Sequence, residues 1–305
     1  MNNQSKYKKQ EKILILIVLS MFLITQFIGL YVTHNANLPA YLNPQLSPDI
    51  QISPQYYFYQ IISSFIFAFL IFVLITKFKL RLIMKIWFFS VVVIALSISI
   101  STILFKLFSI NIYWIALFIA LILASLKVFR PSIISHNATE LLIYPGIAAI
   151  FVPLLNPFFI IILLIIISAY DIWAVWHSKI MMKMAKFQMN ELRVFGGFFV
   201  PYLTKEIRQK IENLKKSKNK NKKLIKLKIP TIMLGGGDIF YPIFTSGVFF
   251  IAFGIWSALA VIFGAFAGLS YLLFTRENKP YPAMPYITTG IFIGLVIWAI
   301  FKFLI

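Results

Sequence analysis

The sequence predicts an all-α membrane protein of nine transmembrane helices, six N-terminal and three C-terminal, with its N-terminus in the cytoplasm. Three observations carry that prediction. The 305-residue chain is 60% hydrophobic and 12% charged, with a mean hydropathy of +0.88, whereas soluble domains carry roughly 25% charged residues. Its apolar residues gather in uncharged blocks of about 20, long enough at ~1.5 Å per residue to cross a hydrocarbon core of ~30 Å. Its basic residues fall between the blocks with a one-sided bias. Helices are expected because lipid offers backbone N–H and C=O groups no other partner, and the alternating ten-residue segments of an outer-membrane barrel are absent.

The spans read in order as 13–33, 56–76, 86–105, 110–126, 134–155, 157–177, 230–248, 251–274 and 283–303. The first follows Lys6, Lys8, Lys9 and Lys12. It is too long for a signal-peptide core and lacks a small-residue cleavage site, so it is expected to be retained. The segment after it, His34 to Gln55, carries Asp49 and four prolines and reads as an ordered or extended loop. Short connections join the fifth span to the sixth and the seventh to the eighth, so counts of eight to ten arise, and charge decides between them. With the N-terminus inside, all Lys and Arg except Lys106 and Lys302 fall on the cytoplasmic side, as the positive-inside rule requires for nine spans with the C-terminus outside. The net charge of +20 is thus a statement about orientation, and no nucleic-acid partner is expected.

One polar interruption divides the chain into three parts: 1–178 with six spans, a basic cytoplasmic loop at 179–229, and 230–305 with three spans. The Lys/Asn run 215–228 reads as a solvated linker drawn to anionic headgroups. Phe187, Met189, Phe195, Phe198 and Phe199 suggest an amphipathic segment at the interface. No internal repeat is visible, which weakens a transporter built from inverted halves.

Of the nine acidic residues, only Glu140, Asp171 and Asp238 fall within apolar spans. A carboxylate there costs about 2.5–3.5 kcal/mol on the insertion scale and is a functional candidate by default. Asp171 lies six residues before His177 and Asp238 eight after Pro230. At ~1.5 Å per residue that puts them roughly 9 and 12 Å from the cytoplasmic surface, at nearly one depth on adjacent antiparallel helices. Two carboxylates sharing a site tend to hold one proton between them, one activating a water and the other protonating a leaving group. Charge and periodicity alone leave catalysis, an interhelical hydrogen-bonded pair and an ion-coupling site in a channel or carrier all open.

The flanking residues narrow the choice. Asp238 ends Gly235-Gly236-Gly237-Asp238, where three successive glycines weaken a helix and allow close backbone approach. Small-xxx-small helix packing needs four-residue spacing instead. Pro282-Ala283-Met284-Pro285 opens the ninth span near the same surface, and its prolines are expected to keep 282–285 from regular helix, the simpler reading being a helix start with proline in its first turn.

Tyr170-Asp171, Gly235-Gly236-Gly237-Asp238 and Pro282-Ala283-Met284 together resemble the YD, GxGD and PAL motifs of the presenilin and signal peptide peptidase family of intramembrane aspartyl proteases. They occur in order on the sixth, seventh and ninth spans, and the short outer loops resemble archaeal members. The resemblance implies an aspartic endopeptidase that hydrolyses peptide bonds in transmembrane helices or leftover signal peptides, with Asp171 and Asp238 catalytic. It implies that Tyr170, Gly235, Gly236, Gly237, Pro282, Ala283, Met284 and Pro285 bind substrate or shape the site, with no cofactor or metal. It also implies a multi-pass protein of the cell membrane with its active site toward the cytoplasm. Met284 stands where the family has leucine, a swap that nearly conserves volume and adds flexibility. Prepilin peptidases share the GxGD aspartate and lack the proline motif.

A helical substrate hides its carbonyls in i→i−4 bonds and must unwind before water attacks, so irregular backbone at 235–237 and 282–285 is expected to receive it as an added strand. Replacing Pro282 or Ala283 is expected to reduce cleavage of a helical substrate while the protein stays folded. Turnover equal to wild type would remove that role.

The remaining polar residues read more simply. Glu140 suits a buried hydrogen bond, snorkelling to the interface, or tuning of the aspartates. Asn137-Ala138-Thr139 fits the glycosylation pattern but on the cytoplasmic side. His34, His136 and His177 make no H-E-x-x-H, there is no G-x-S-x-G, and the absence of cysteine removes thiol chemistry.

Overall fold

The computed structural model describes residues 2–36, 54–78, 81–108, 113–130, 132–178, 196–201, 231–275 and 281–304. Among them are nine α-helices, numbered here in chain order: α1 (Asn2–Asn35), α2 (Pro54–Phe78), α3 (Arg81–Phe108), α4 (Tyr113–Phe129), α5 (Ile133–Phe151), α6 (Pro157–Trp173), α7 (Gly236–Phe253), α8 (Ile255–Thr275) and α9 (Met284–Leu304). Seven of these, α1, α3 and α5 to α9, are long and apolar enough to cross a membrane, and α4 is a shorter apolar helix. The expected loop at 34–55 and the Lys/Asn run 215–228 lie largely or wholly outside the described residues, as do Phe187, Met189 and Phe195.

Local chemistry sets the boundaries that matter for the site. Ser132 caps α5 in a reciprocal box: its hydroxyl accepts from Ser135 N–H at 3.1 Å, and Ser135 Oγ accepts from Ser132 N–H at 3.3 Å. Asn156 caps α6 by accepting from Phe159 N–H at 3.0 Å, with Pro157 in the first turn where its missing N–H does no harm. After Trp173 the chain widens into a π turn over Ala174–Ser178. Between α7 and α8 the break is sharp because Gly254 takes φ +86, a region that other residues rarely enter. Ser257 Oγ donates to the carbonyls of Phe249 and Gly254 there, at 2.8 and 2.7 Å.

Two expectations are corrected at the start of the seventh span. Residues 231–235 are a strand, β2 (Thr231–Gly235), and the helix starts at Gly236. Phe198 and Phe199 belong to a second strand, β1 (Gly197–Pro201), rather than to a segment lying on the interface. The strands pair antiparallel, with Gly197 opposite Gly235, Phe199 opposite Met233 and Pro201 opposite Thr231. The ladder continues into α7 through a bond from Gly236 N–H to Gly196 O at 3.2 Å. Phe198, Val200, Ile232 and Leu234 are buried in the main core and anchor one face of the sheet.

The core sits around α1, which packs on α5, α7 and α8, while α6 packs on α7 and α9. Lipid tails are as apolar as these side chains, so close fit rather than transfer from water has to hold the bundle. The α8–α9 pair shows the limit of that fit. A Cβ on Gly264 would lie 2.3 Å from Gly290 O, and one on Gly290 would lie 2.2 Å from Gly264 O.

Candidate active site

Asp171 lies in the last turn of α6, buried, with the π turn immediately after it. Its Oδ2 accepts a hydrogen bond from Met284 N–H at 3.1 Å. Met284 is the first residue of α9, so this N–H is one of the donors a helix start leaves unpaired, and a carboxylate is a natural partner for it. Pro285 follows without an N–H of its own. The irregular stretch is therefore 281–283, and Pro285 already lies within the first turn of α9. A bond between Ser168 Oγ and Thr288 Oγ1 at 2.7 Å ties α6 to α9 one turn away on each helix.

Asp238 is the third residue of α7, with Gly235 as N-cap in an extended conformation (φ −65, ψ 150). Its carboxylate folds back over that glycine: a Cβ added at Gly235 would lie 3.1 Å from Asp238 Oδ2. The depth assigned from eight helical residues after Pro230 therefore does not describe this approach, since five of the intervening residues are extended. The approach of the two aspartates follows from the packing of α6 on α7 and from the contact of α6 with the start of α9 at Met284.

The structure brings Asp171, Asp238, Gly235 and Met284 together, with Pro282 buried and Ala283 half-buried beside them. Tyr170 is exposed on α6 with its ring 6.2 Å from Trp173. Gly237 is exposed, and Pro285 lines a groove between α8 and α9 on the outer side of α9.

Further contacts involve Gln26, Tyr144 and Lys127, which the sequence had not singled out, and give Glu140 and Asn137 their places. Gln26 of α1, fully buried, donates from Nε2 to Ile239 O at 3.1 Å, next to Asp238 in a helix that Pro242 deprives of one backbone donor. Tyr144 of α5 lies on Gly236, where an added Cβ would meet its Oη at 2.6 Å and its ring at 3.0 and 3.1 Å. Glu140 does not snorkel: it forms a buried ion pair with Lys127 of α4. Asn137 is not presented for glycosylation, since its side chain is bonded to β1. A polar residue in an apolar span was the available signal for Gln26, whereas Lys127, one residue past the 110–126 block, was counted with the flanking cytoplasmic charges. A tyrosine in such a span is ordinary, so Tyr144 offered none.

Gly236→Ala is expected to destabilise the protein by about 1–3 kcal/mol through overpacking. Tyr144→Phe on that background is expected to recover part of the loss, because the hydroxyl clash disappears while the ring contacts stay tight. A thermal-melt double-mutant cycle measures this, and additive effects would mean that the two residues do not press on each other.

A protein-family model for signal-peptide peptidase and presenilin aspartyl protease matches residues 12–304. Among solved structures, the chain is similar to a presenilin family intramembrane aspartate protease crystallised in space group C222, at 17% identity and TM-score 0.61, covering 94% of this chain and 99% of that one. It is similar to such a protease in space group P2 at 18% identity and TM-score 0.56, covering 94% and 97%. At these identities the likeness is one of fold. No curated protein sequence matches significantly.

Proposed function

The chain belongs to the signal-peptide peptidase and presenilin aspartyl protease family, and we propose that it is an intramembrane endopeptidase in which Asp171 and Asp238 activate one water between them. The observation that carries the reading is the convergence of α6, α7 and the start of α9 on these two carboxylates, with Met284 N–H holding Asp171. In the singly protonated pair, the ionised carboxylate takes a proton from water as its oxygen attacks the peptide carbonyl carbon. The protonated one gives its proton to the carbonyl oxygen, and collapse of the tetrahedral species delivers a proton to the departing amide nitrogen.

An unwound substrate needs backbone partners, and β2 supports the expectation of an added strand. Phe199 gives both its N–H and its C=O to Asn137, away from β2. By the alternation of an antiparallel ladder, Thr231, Met233 and Gly235 then turn theirs away from β1, leaving an edge that runs up to Asp238. A segment paired on that edge would pass its peptide groups in front of the carboxylates.

In this reading the protein has nine spans with its N-terminus in the cytoplasm, six in 1–178 and three in 230–305, joined by the basic loop 179–229. The site faces the cytoplasmic side of the cell membrane, and the substrates are transmembrane helices or signal peptides. Family membership gives the channel or carrier reading no support. Incubating purified protein in vesicles with a single-span peptide tests the proposal: site-specific cleavage supports it, and cation flux without cleavage would replace it with the carrier.

A further inference from the structure

A buried polar cluster on α4 and α5 lies outside the dyad, and its contacts lead to the sheet that carries Asp238. Lys127 pairs with Glu140, and both are buried. Lys127 Nζ also donates to His136 Nδ1 at 3.2 Å, which leaves His136 Nε2–H to donate to Gly197 O at 2.8 Å. One residue on, Asn137 Nδ2 donates to Phe199 O at 2.9 Å, and Phe199 N–H donates to Asn137 Oδ1 at 3.0 Å. The amide thus meets β1 as a neighbouring strand would, on the edge that β2 does not use. Gly197, at φ +128, lets its end of β1 pass so near β2 that a Cβ would lie 2.1 Å from Leu234 O.

We propose that His136 and Asn137, with His136 braced by the Lys127–Glu140 pair, are positioning residues that clamp β1 from the side opposite β2 and so hold the Gly235–Asp238 turn in its catalytic place. This rests on the protease reading. The argument is one of sheet size: a two-stranded ribbon is marginal alone and needs a further partner to hold its register. Among the described residues no strand pairs with the outer edge of β2, whereas Asn137 completes one edge of β1. The register it secures runs without interruption from Gly197–Gly235 into the bond from Gly236 N–H to Gly196 O. Asp238 follows two residues later. The Lys127–Glu140 pair makes His136 a directed donor, because the lysine occupies Nδ1 and leaves only Nε2–H for the strand.

Asn137→Ala in the full-length protein tests this through two readouts. Amide exchange at Ile232, Leu234 and Gly236, the β2-side donors of the ladder, is expected to speed up at least about tenfold while α8 and α9 stay as in wild type. With a transmembrane peptide, kcat is expected to fall about tenfold with KM within about twofold. Asn137→Asp keeps the acceptor for Phe199 N–H and loses the donor to Phe199 O, and an intermediate effect is expected on both readouts. It also serves if the alanine variant does not fold. Unchanged exchange and kcat, or exchange accelerated equally in α8 and α9, would overturn the clamp, because the latter is what a merely structural contact gives. A wild-type protein that cleaves nothing overturns the protease reading instead, and the exchange pattern still decides the clamp.

Discussion

Asp171→Ala and Asp238→Ala are each expected to abolish cleavage of a transmembrane peptide, a loss of about 10³-fold or more, while the protein stays folded. The size follows from the shared-proton mechanism. With one carboxylate gone, the other can be base or acid but not both within a turnover, and each half of general acid–base catalysis contributes about 10²–10⁴-fold. Because the two act as a unit, the double variant should be no worse than either single one. Stability should move little. Asp171→Ala strands the Met284 N–H, worth about 1 kcal/mol, but it also removes a carboxylate from an apolar setting. Peptide cleavage followed by mass spectrometry, with thermal melts of the same preparations, checks both halves. Residual turnover of even a tenth of wild type in either variant would mean that the pair is not the catalytic unit. The same assay should give a bell-shaped rate profile belonging to the pair: a second proton removes the base, and loss of the only proton removes the acid. A rate flat from mildly acid to neutral pH would contradict proton sharing.

Gly290→Val is expected to have the largest effect on stability. The α8 and α9 backbones touch, with a Cβ at 290 falling 2.2 Å from Gly264 O and 3.0 Å from Gly264 C and Gly268 N. Backbone on both sides leaves nothing flexible to yield, so the helices must separate. Overpacking costs about 1–3 kcal/mol where side chains can adjust, and this site lies at or above that range. Separation would also carry α9 and its first residue, Met284, away from Asp171, so activity per folded molecule should fall with stability. Gly237→Ala serves as control, since its Cβ would meet Tyr241 only at 3.6 Å, an ordinary contact. Equal melting temperatures for Gly290→Val and wild type would show that the helices are not held at backbone contact.

The spacing behind that prediction was present in the sequence. Gly264 and Gly268 on α8, and Gly290 and Gly294 on α9, each stand four residues apart, the pattern that lets membrane helices approach closely. The run at Gly235–Gly237 has a different spacing, three glycines in succession. That run does more than pack helices: Gly235 caps α7 and receives the Asp238 carboxylate, while Gly236 lets Tyr144 of α5 lie against the start of α7.

Hydropathy was informative because a span is a one-dimensional object, about 20 apolar residues whose backbone satisfies itself. Each of the nine apolar blocks therefore overlaps one of the described helices, and Asp171 and Asp238 stood out because a charge in such a block is expensive wherever its partners lie. The motif order on the sixth, seventh and ninth spans pointed to the family to which the chain belongs. What only the tertiary structure decided was everything resting on contacts between distant segments. Thr231–Leu234 is a short apolar run that periodicity cannot tell from helix. It becomes a strand because Phe198–Val200, more than 30 residues earlier, pairs with it, and because Asn137 and His136 close that strand's other edge. Met284 N–H points at Asp171 only because α9 begins there and packs on α6. Apolar length can be counted along one segment, whereas strand pairing, helix contact and the meeting of two carboxylates depend on which segments the folded chain brings together.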